Sequence, residues 1–506
     1  MDKRDNIRKE LTKTGVLSLI GKLTAMVATF VATPFTVRLL GPSLFGLWAL
    51  VQSILTYLTL ADIGMANAST KFAGEYFAQN DSDSEISVIW TSCFITGFLT
   101  IVSSLTLVLV APFLLTHVLH VPQKMLGSAT WSVRIAAIAV IARSLSYSIN
   151  TPQTIRLRWG WLTIANYGTA IVGTILSPIA LKFTSGGVVA MAAVTVITAV
   201  MSLAINYFAA IKVQPLIIKI QIRKVLIPRL LRYGGALAIT GFVDIPLATA
   251  ERLFLAHYHS LTIVAYYSLS MSLAAIFVSI PAVMLGGLFS TFVRLNTNGS
   301  SEELHRIFKQ FIQGIFLFVA PAIILFMFLA SPFLRLWVGQ QYAFNCALPL
   351  FILLPGFSLN LLAIVPYNYL LAVGRTSTIA KIHLAELLPY LILALIFTEK
   401  LGAVGAAIVW SCRATVHSAI FFVLTSKKGL PWFPLPTRAI IKLISLFGLT
   451  ATTLILSTLI NSLAIRALFT GVLVLCYIVI TWKVTLKPFE RNGIKKFLIE
   501  TFPFLS

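Results

Sequence analysis

The sequence predicts an all-α membrane protein with about fourteen transmembrane helices. Of its 506 residues, 58% are hydrophobic and only 11% are charged, whereas soluble domains carry about 25% charged residues. A globular core stops growing beyond roughly 250–300 residues, so this much apolar surface cannot be hidden from water. Stretches without any charge, such as 88–115 and 188–211, exceed the roughly 18 residues that indicate a membrane-spanning helix.

Hydropathy and the positions of helix-breaking residues divide the chain into spans. The expected boundaries are 15–37, 42–62, 87–115, 131–150, 161–183, 187–211, 232–256, 262–292, 310–331, 346–372, 378–398, 402–425, 438–460 and 464–482. Most of the 39 lysines and arginines fall at connections on the same side as the N-terminus. The positive-inside rule therefore predicts that both termini are cytoplasmic.

The connections suggest a division into lobes. Residues 1–211 form a predicted N-terminal lobe of six spans, and 232–425 form a C-terminal lobe of six. The basic cytoplasmic linker 212–231 joins them, and we interpret it as a solvated, topology-setting loop at the level of anionic headgroups. Residues 426–506 hold two extra spans and an amphipathic tail. The net charge of +23 does not predict nucleic-acid binding, because the basic residues alternate with apolar runs.

An internal repeat relates the two predicted lobes. The sequence Thr-Ile-Ala at 163–165 recurs at 378–380, and a Gly-rich apolar segment that begins at Gly187 recurs at Gly402. Both pairs are offset by 215 residues. Because six spans return the chain to the same side, the halves should have parallel orientation and should face each other across a cleft suited to alternating access.

Several segments resemble the polysaccharide transport family, which includes O-antigen flippases. This family belongs to the multidrug/oligosaccharidyl-lipid/polysaccharide exporter superfamily. The segments are Thr33–Pro42, Phe45–Leu50, Leu60–Gly64, Gly374-Arg375, Glu386 and Gly402–Ala407. The resemblance implies a two-lobed, V-shaped bundle of twelve to fourteen helices. It also implies transport of an oligosaccharide linked to undecaprenyl pyrophosphate.

Charges inside predicted spans are the main candidates for substrate contact, because a charge in the bilayer should face a cavity or a partner. Arg413 lies halfway along span 402–425, with His417 one turn later and Trp410 one turn earlier on the same face. A guanidinium offers a planar donor fork for phosphate oxygens. The alternative for Arg413 is a structural pair with an acid such as Glu386.

Three further cations are predicted substrate contacts. Arg143 and Arg134 both lie on the fourth span, nine residues apart, so they face opposite sides of one helix. Arg143 is the deeper residue, whereas Arg134 is close enough to the outer end to reach the interface. Lys22 lies two turns into the first span, where the multidrug branch of the superfamily would place an acid for cation coupling.

Two acids are candidates for ion coupling. Asp244 is central in the seventh span, and it could bind a proton or sodium or neutralise an arginine. Glu386 lies in the eleventh span one turn after His383, an arrangement that could relay protons. The sequence leaves the energy source open among proton, sodium, membrane potential and consumption of the product. It predicts no resident cofactor, metal or catalytic residue.

The predicted function is a flippase for a lipid-linked oligosaccharide in the bacterial inner membrane. Its expected partners are the undecaprenyl-pyrophosphate carrier, membrane lipids and the polysaccharide polymerase machinery. One alternative is a multidrug or cation antiporter, which would need an acid-lined cavity. Another is a membrane glycan polymerase or glycosyltransferase, although the longest predicted outer loop, 116–130, contains no acid. The sequence has no P-loop or HExxH motif.

Overall fold

The computed structural model describes residues 3–59, 63–283, 285, 288–297, 301–426 and 472. All regular secondary structure within these residues is helical, so the all-α prediction is confirmed. Seven of the described helices are long and apolar enough to cross a membrane. The chain is therefore a multi-pass membrane protein.

The described helices divide between two compact units. The first unit comprises the described residues of Met1–Ser268 and Leu387–Ala406, and the second those of Leu269–Glu386 and Ala407–Ser506. The helices are α1 (Lys3–Leu58), α2 (Ile63–Ala78), α3 (Ser82–Phe113), α4 (Gln123–Ile149), α5 (Thr151–Ile155), α6 (Trp159–Thr163), α7 (Thr169–Phe183), α8 (Val188–Val213), α9 (Ile227–Tyr258), α10 (Leu261–Val283), α11 (Leu288–Thr297), α12 (Ser301–Trp337), α13 (Gln340–Ala372) and α14 (Thr376–Ser426). The lobe boundaries expected from the sequence stay a prediction.

Glycines divide the two longest helices into two legs each. Gly41 in α1 has φ 70° and ψ 172°, and Gly402 in α14 has φ 56° and ψ −133°. Only glycine adopts such conformations without a steric penalty. The two kinks fall at the predicted connections between spans 15–37 and 42–62 and between spans 378–398 and 402–425.

The predicted spans three to ten also coincide with described helices, with one difference. The eighth span was expected to be continuous over 262–292, but α10 ends at Val283 and α11 begins at Leu288. Between them, Leu285 is a turn residue whose carbonyl accepts a hydrogen bond from the Leu288 N–H at 3.0 Å. The last two predicted spans, 438–460 and 464–482, and the predicted amphipathic tail lie outside the described residues, apart from position 472.

The helices of the first unit pack through small and hydroxyl side chains. Ala139 and Ala142 of α4 pack against Ala199 of α8. Ser202 of α8 lies 3.2 Å from the Ser146 hydroxyl of α4. Small residues let helix backbones approach closely, and interhelical hydrogen bonds replace the hydrophobic drive that lipid does not provide.

The sequence repeat has a counterpart in backbone geometry. Gly187, before α8, has φ 51° and ψ −123°, close to the values at Gly402. A Cβ on Gly187 would meet Leu44, and a Cβ on Gly402 would meet His259 and Ile263. Leu44 and His259 are themselves 215 residues apart. Gly187 and Gly402 therefore have similar, unusual backbone conformations, and each packs against a residue at the equivalent position of its own half.

We expect Gly46→Ala to destabilise the first unit. A Cβ at Gly46 would lie 1.7 Å from the Leu261 carbonyl oxygen, so α1 and α10 would have to move apart at a loss of at least about 1–3 kcal/mol. Gly127→Ala is the matched control, because nothing lies within 4 Å of its Cβ position. Thermal unfolding of the purified protein in detergent measures both, and equal melting temperatures would contradict the close approach.

Candidate transport site

A cluster of ionisable side chains joins the two legs of α14 within the second unit. Glu386 lies on the first leg, and Arg413 and His417 lie on the second. The His417 Nδ1 atom lies 2.9 Å from Oε1 and 3.1 Å from Oε2 of Glu386. The Arg413 Nε atom lies 3.7 Å from Glu386 Oε2. The carboxylate thus faces two basic groups, and we call these three residues the α14 cluster.

The α14 cluster is largely withdrawn from solvent. The side chains of Glu386 and His417 are 8% and 9% exposed, and that of Arg413 is 20% exposed. Removing a charge from water is unfavourable unless a partner and hydrogen bonds compensate for it. An ionised Glu386 only accepts, so the His417 Nδ1 atom carries a proton and donates it in this hydrogen bond.

Aromatic rings surround the α14 cluster. The rings of His383 and His417 have centroids 5.3 Å apart, and Phe421 lies 4.6 Å from His417 on the other side. Trp410, predicted as a substrate contact, stacks on Phe357 of α13 with centroids 4.1 Å apart. His383 and Phe421 thus pack on the imidazole that contacts the carboxylate.

Close packing against α13 sets the rotation of the second leg of α14. The Ser411 hydroxyl donates to the Ile352 carbonyl at 2.7 Å, and the Ser418 hydroxyl donates to the Leu359 carbonyl at 2.8 Å. A Cβ on Gly356 would lie 2.6 Å from Ser411 Oγ. Residues seven apart share a helix face, so these two serines fix one face of the second leg of α14 against α13. Arg413 lies on a different face of this leg.

The repeat shows that helix packing alone does not require the α14 cluster. The positions 215 residues before its three members are Ile171, Thr198 and Ser202. None of these is ionisable, and Thr198 instead packs closely on Gly173. The first half thus builds the equivalent helix contacts without charge, so the charges in the second half point to a function.

The structure places the other predicted site residues in the first unit. Arg143 is exposed on α4, and Asp244 is exposed on α9. Arg134 is partly buried, and its guanidinium lies 5.4 Å from the centroid of the Trp131 ring. Lys22 is partly buried on the first leg of α1. The structure thus brings together Arg413, His417 and Glu386, and it leaves the roles of all these residues as predictions.

Sequence reasoning missed a buried ion pair in the first unit. Glu85 is 1% exposed and accepts two hydrogen bonds from Arg156, at 2.6 and 2.9 Å. Gln214 adds a third at 3.3 Å, and the Arg156 guanidinium lies 4.3 Å from the Phe77 ring centroid. One signal in the sequence could have indicated this pair. Glu85 and Arg156 both lie in connections that were predicted on the cytoplasmic side of the membrane.

A second missed feature is a group of histidines that bind backbone carbonyls of helical residues. His257 Nδ1 donates to the Val118 carbonyl, and His120 Nδ1 donates to the His257 carbonyl at 3.0 Å. His259 Nε2 donates to the Thr398 carbonyl at 2.7 Å. Within the described residues, no group of three or more His, Cys, Asp or Glu side chains could hold a metal ion. These histidines therefore act as hydrogen-bond donors that tie connections together.

The family of the chain follows from its similarity to known sequences. The model of a family described as "Polysaccharide biosynthesis protein" matches residues 35–346. The chain belongs to this family, which confirms the resemblance drawn from its motifs. A Shigella flexneri protein assigned as an O-antigen transporter is 30% identical over 192 residues. That alignment covers 38% of this chain and 45% of the relative.

Solved structures show the same fold. An inward-facing multidrug resistance MATE transporter of the MOP superfamily matches with a TM-score of 0.72, at 13% identity over 82% of this chain and 98% of its own. The lipid II flippase MurJ also matches with a TM-score of 0.72, at 15% identity over 92% and 99%. A MOP superfamily transporter from Pyrococcus furiosus matches at 0.60, with 14% identity over 83% and 95%. The chain therefore has the fold of MOP superfamily transporters.

We expect Glu386→Ala to destabilise the second unit, because it leaves Arg413 and His417 facing each other without a carboxylate. Removing one partner of a buried ion pair costs on the order of 3 kcal/mol. The double variant Glu386→Ala/Arg413→Ala should recover part of this loss, since it also removes a cation. Melting temperatures in detergent test this, with Lys381→Ala as an exposed control on the same helix. Strictly additive effects of the two substitutions would contradict the pairing.

Proposed function

We propose that the chain is a flippase that moves an undecaprenyl-pyrophosphate-linked oligosaccharide across the bacterial inner membrane by alternating access. The observation that carries this proposal is the α14 cluster, in which a partly buried arginine lies 3.7 Å from an internal carboxylate. Membership of the polysaccharide biosynthesis family and the fold shared with a lipid II flippase support it. The proposed topology has fourteen spans with both termini in the cytoplasm, and the proposed role is transport without catalysis.

Glu386 acts as an internal substitute for the substrate anion. A guanidinium binds carboxylate and phosphate oxygens with the same donor fork. When the pyrophosphate enters, its oxygens replace Glu386 as the anion beside Arg413. The arginine is thus never left without an anion in a site of low dielectric, where an uncompensated charge is costly. Such an exchange keeps water out of the site. It also keeps the binding of the substrate weak enough for release.

A proton is the coupling ion that this cluster suits best. His417 already donates to both Glu386 oxygens, so a proton can pass between the imidazole and the carboxylate without a rearrangement of the helices. Neutral Glu386 would release Arg413 to the substrate. A sodium ion prefers oxygen ligands, whereas the groups described around this carboxylate are nitrogen donors. Asp244, exposed on α9, is the proposed second acid.

The remaining cations extend the proposed path in the first unit. Arg143 is exposed although it lies in a helix apolar enough to span the membrane. An arginine at such a position must face a water-filled cavity or a headgroup. Arg143, Arg134 and Lys22 are therefore the proposed contacts for the pyrophosphate and the sugar as the substrate moves. The polysaccharide polymerase machinery is the proposed partner that consumes the product.

The fold shared with a MATE transporter keeps a multidrug antiporter as the second candidate. The two functions require opposite charge in the site, because an antiporter for cationic drugs needs acids and a flippase for pyrophosphate needs cations. In the α14 cluster, two basic side chains face one carboxylate. This ratio favours an anionic substrate.

The test is complementation of a bacterial strain that lacks its own O-antigen flippase, with surface polysaccharide scored as a ladder on a gel. We expect the wild-type chain to restore the ladder and Arg413→Ala to abolish it at a normal protein level. Arg413→Lys should restore it only weakly, because an ammonium keeps the charge but lacks the planar fork.

Lys381→Ala is the matched control for this experiment. It removes one cation from an exposed position on the same helix, so we expect a full ladder. If the chain restores no ladder with any of several glycan types but confers drug resistance, the antiporter becomes the favoured function in place of the flippase. A full ladder from Arg413→Ala would show that the α14 cluster is not the substrate site.

A further inference from the structure

Residues 214–226, which we call the interfacial strap, run between α8 and α9 and are fixed to the side of α3. The Trp90 Nε1 atom donates to the Ile217 carbonyl at 2.9 Å, and the Ser87 hydroxyl donates to Gln221 Oε1 at 3.0 Å. The Arg223 backbone N–H donates to Thr91 Oγ1 at 3.1 Å. Ile217 is fully buried. The strap therefore has a defined position on the protein and is not a freely solvated loop.

Apart from the buried Ile217, the isoleucines and the valine of the strap are exposed. Alternate residues of an extended chain face opposite sides, and Gln221 and Arg223 bind α3. Ile220 and Ile222 consequently lie on the other side, where they are 67% and 45% exposed. Ile218, at the end of a short 3₁₀-helix, is 60% exposed. Val225 follows at 88% exposure. A strap surrounded by water would expose its polar side chains and bury its apolar ones. A contiguous exposed apolar patch instead marks an interaction surface.

The contacts with α3 place the strap at the depth of the lipid headgroups. With 32 residues, α3 is about 48 Å long, whereas the hydrocarbon core is about 30 Å thick. The strap contacts lie between Ser84 and Thr91, within about 14 Å of the helix start. This is the zone in which an interfacial segment buries its apolar face at the boundary between headgroups and acyl chains.

The charge of the strap suits an anionic membrane surface. Lys219, Arg223 and Lys224 are exposed, and the sequence contains no Asp or Glu between positions 213 and 243. Glu85, which is paired with Arg156, accepts a hydrogen bond from Gln214 at the start of the strap. Asp81 also lies near the strap, and its pKa is lowered by hydrogen bonds with Ser84 and, to a smaller extent, by the Arg223 guanidinium. Arg223 is thus partly neutralised, and the two lysines remain to attract anions.

We propose that the interfacial strap is a binding site for the phosphate headgroups of anionic phospholipids in the cytoplasmic leaflet. The isoleucines and Val225 enter the interface, and Lys219 and Lys224 bind the phosphodiester groups of the lipids. This inference rests on the proposed cytoplasmic position of the linker, but it does not depend on the identity of the transported substrate.

Native mass spectrometry of the purified full chain tests the proposal with phosphatidylglycerol and phosphatidylcholine of identical acyl chains as probes. We expect the wild type to bind phosphatidylglycerol more tightly. Lys219→Gln/Lys224→Gln should lower its affinity for phosphatidylglycerol roughly 25-fold, because each of the two cations near an anionic surface contributes about a fivefold factor. Its affinity for phosphatidylcholine should not change.

The matched control is Arg375→Gln/Lys381→Gln, which removes the same charge from exposed positions near the start of α14. We expect less than a twofold effect. An equal loss in the control, or equal wild-type affinity for the two lipids, would overturn the proposal. Undecaprenyl phosphate serves as a third probe. If only its binding falls in the strap variant, the strap captures the transported lipid and does not bind bulk phospholipid.

A second variant tests how the apolar side chains of the strap contribute to lipid binding, without any change of charge. Ile220→Asn/Val225→Asn changes two exposed side chains, so the fold should be retained, as a melting temperature within a few degrees of wild type would show. Brominated phosphatidylglycerol in vesicles should quench the fluorescence of Trp90 beneath the strap in the wild type, and quenching should fall by at least half in this variant. Unchanged quenching would place the apolar face outside the lipid.

Discussion

A carboxylate inside a lipid-embedded helix bundle needs a cation beside it, because the low dielectric makes an isolated charge unfavourable by several kcal/mol. The described structure meets this constraint in two ways. Glu85 is bound by both guanidinium nitrogens of Arg156, which fixes a pair at one end of the first unit. Glu386 is shared between His417 and the more distant Arg413. In the first arrangement two hydrogen bonds join the ions, whereas in the second we propose that the substrate anion takes the place of Glu386 beside Arg413.

The backbone makes the second arrangement possible. The positive φ of Gly402 turns α14 into two legs, so residues that are 27 and 31 positions apart in sequence become neighbours. Gly187 has almost the same conformation in the first half. The two halves thus share this turn but differ in the side chains near it, since the α14 cluster in the second half takes the places of Ile171, Thr198 and Ser202.

The sequence predicted the helices well and the contacts poorly, for physical reasons. Hydropathy depends on neighbouring residues, so the seven helices that could cross a membrane and the connections near Gly41 and Gly402 could be located. The α14 cluster was within reach, because Glu386 was named as the alternative partner of Arg413. The Glu85–Arg156 pair joins residues 71 positions apart, and no local pattern reveals such a pairing. The exposed apolar face of the strap was also missed. The alternation of polar and apolar residues shows which side is exposed only once the contact between Gln221 and α3 is known.

The most direct test of the central claim is a translocation measurement with the purified chain in liposomes. A fluorescent oligosaccharide linked to undecaprenyl pyrophosphate is placed in both leaflets, and a membrane-impermeant reductant quenches the outer one. The account predicts that wild-type protein allows quenching to pass well beyond the outer-leaflet half, and that Arg413→Ala protein of equal incorporation stops near that half. Equal quenching with wild-type protein and with empty liposomes would contradict the assignment as a flippase.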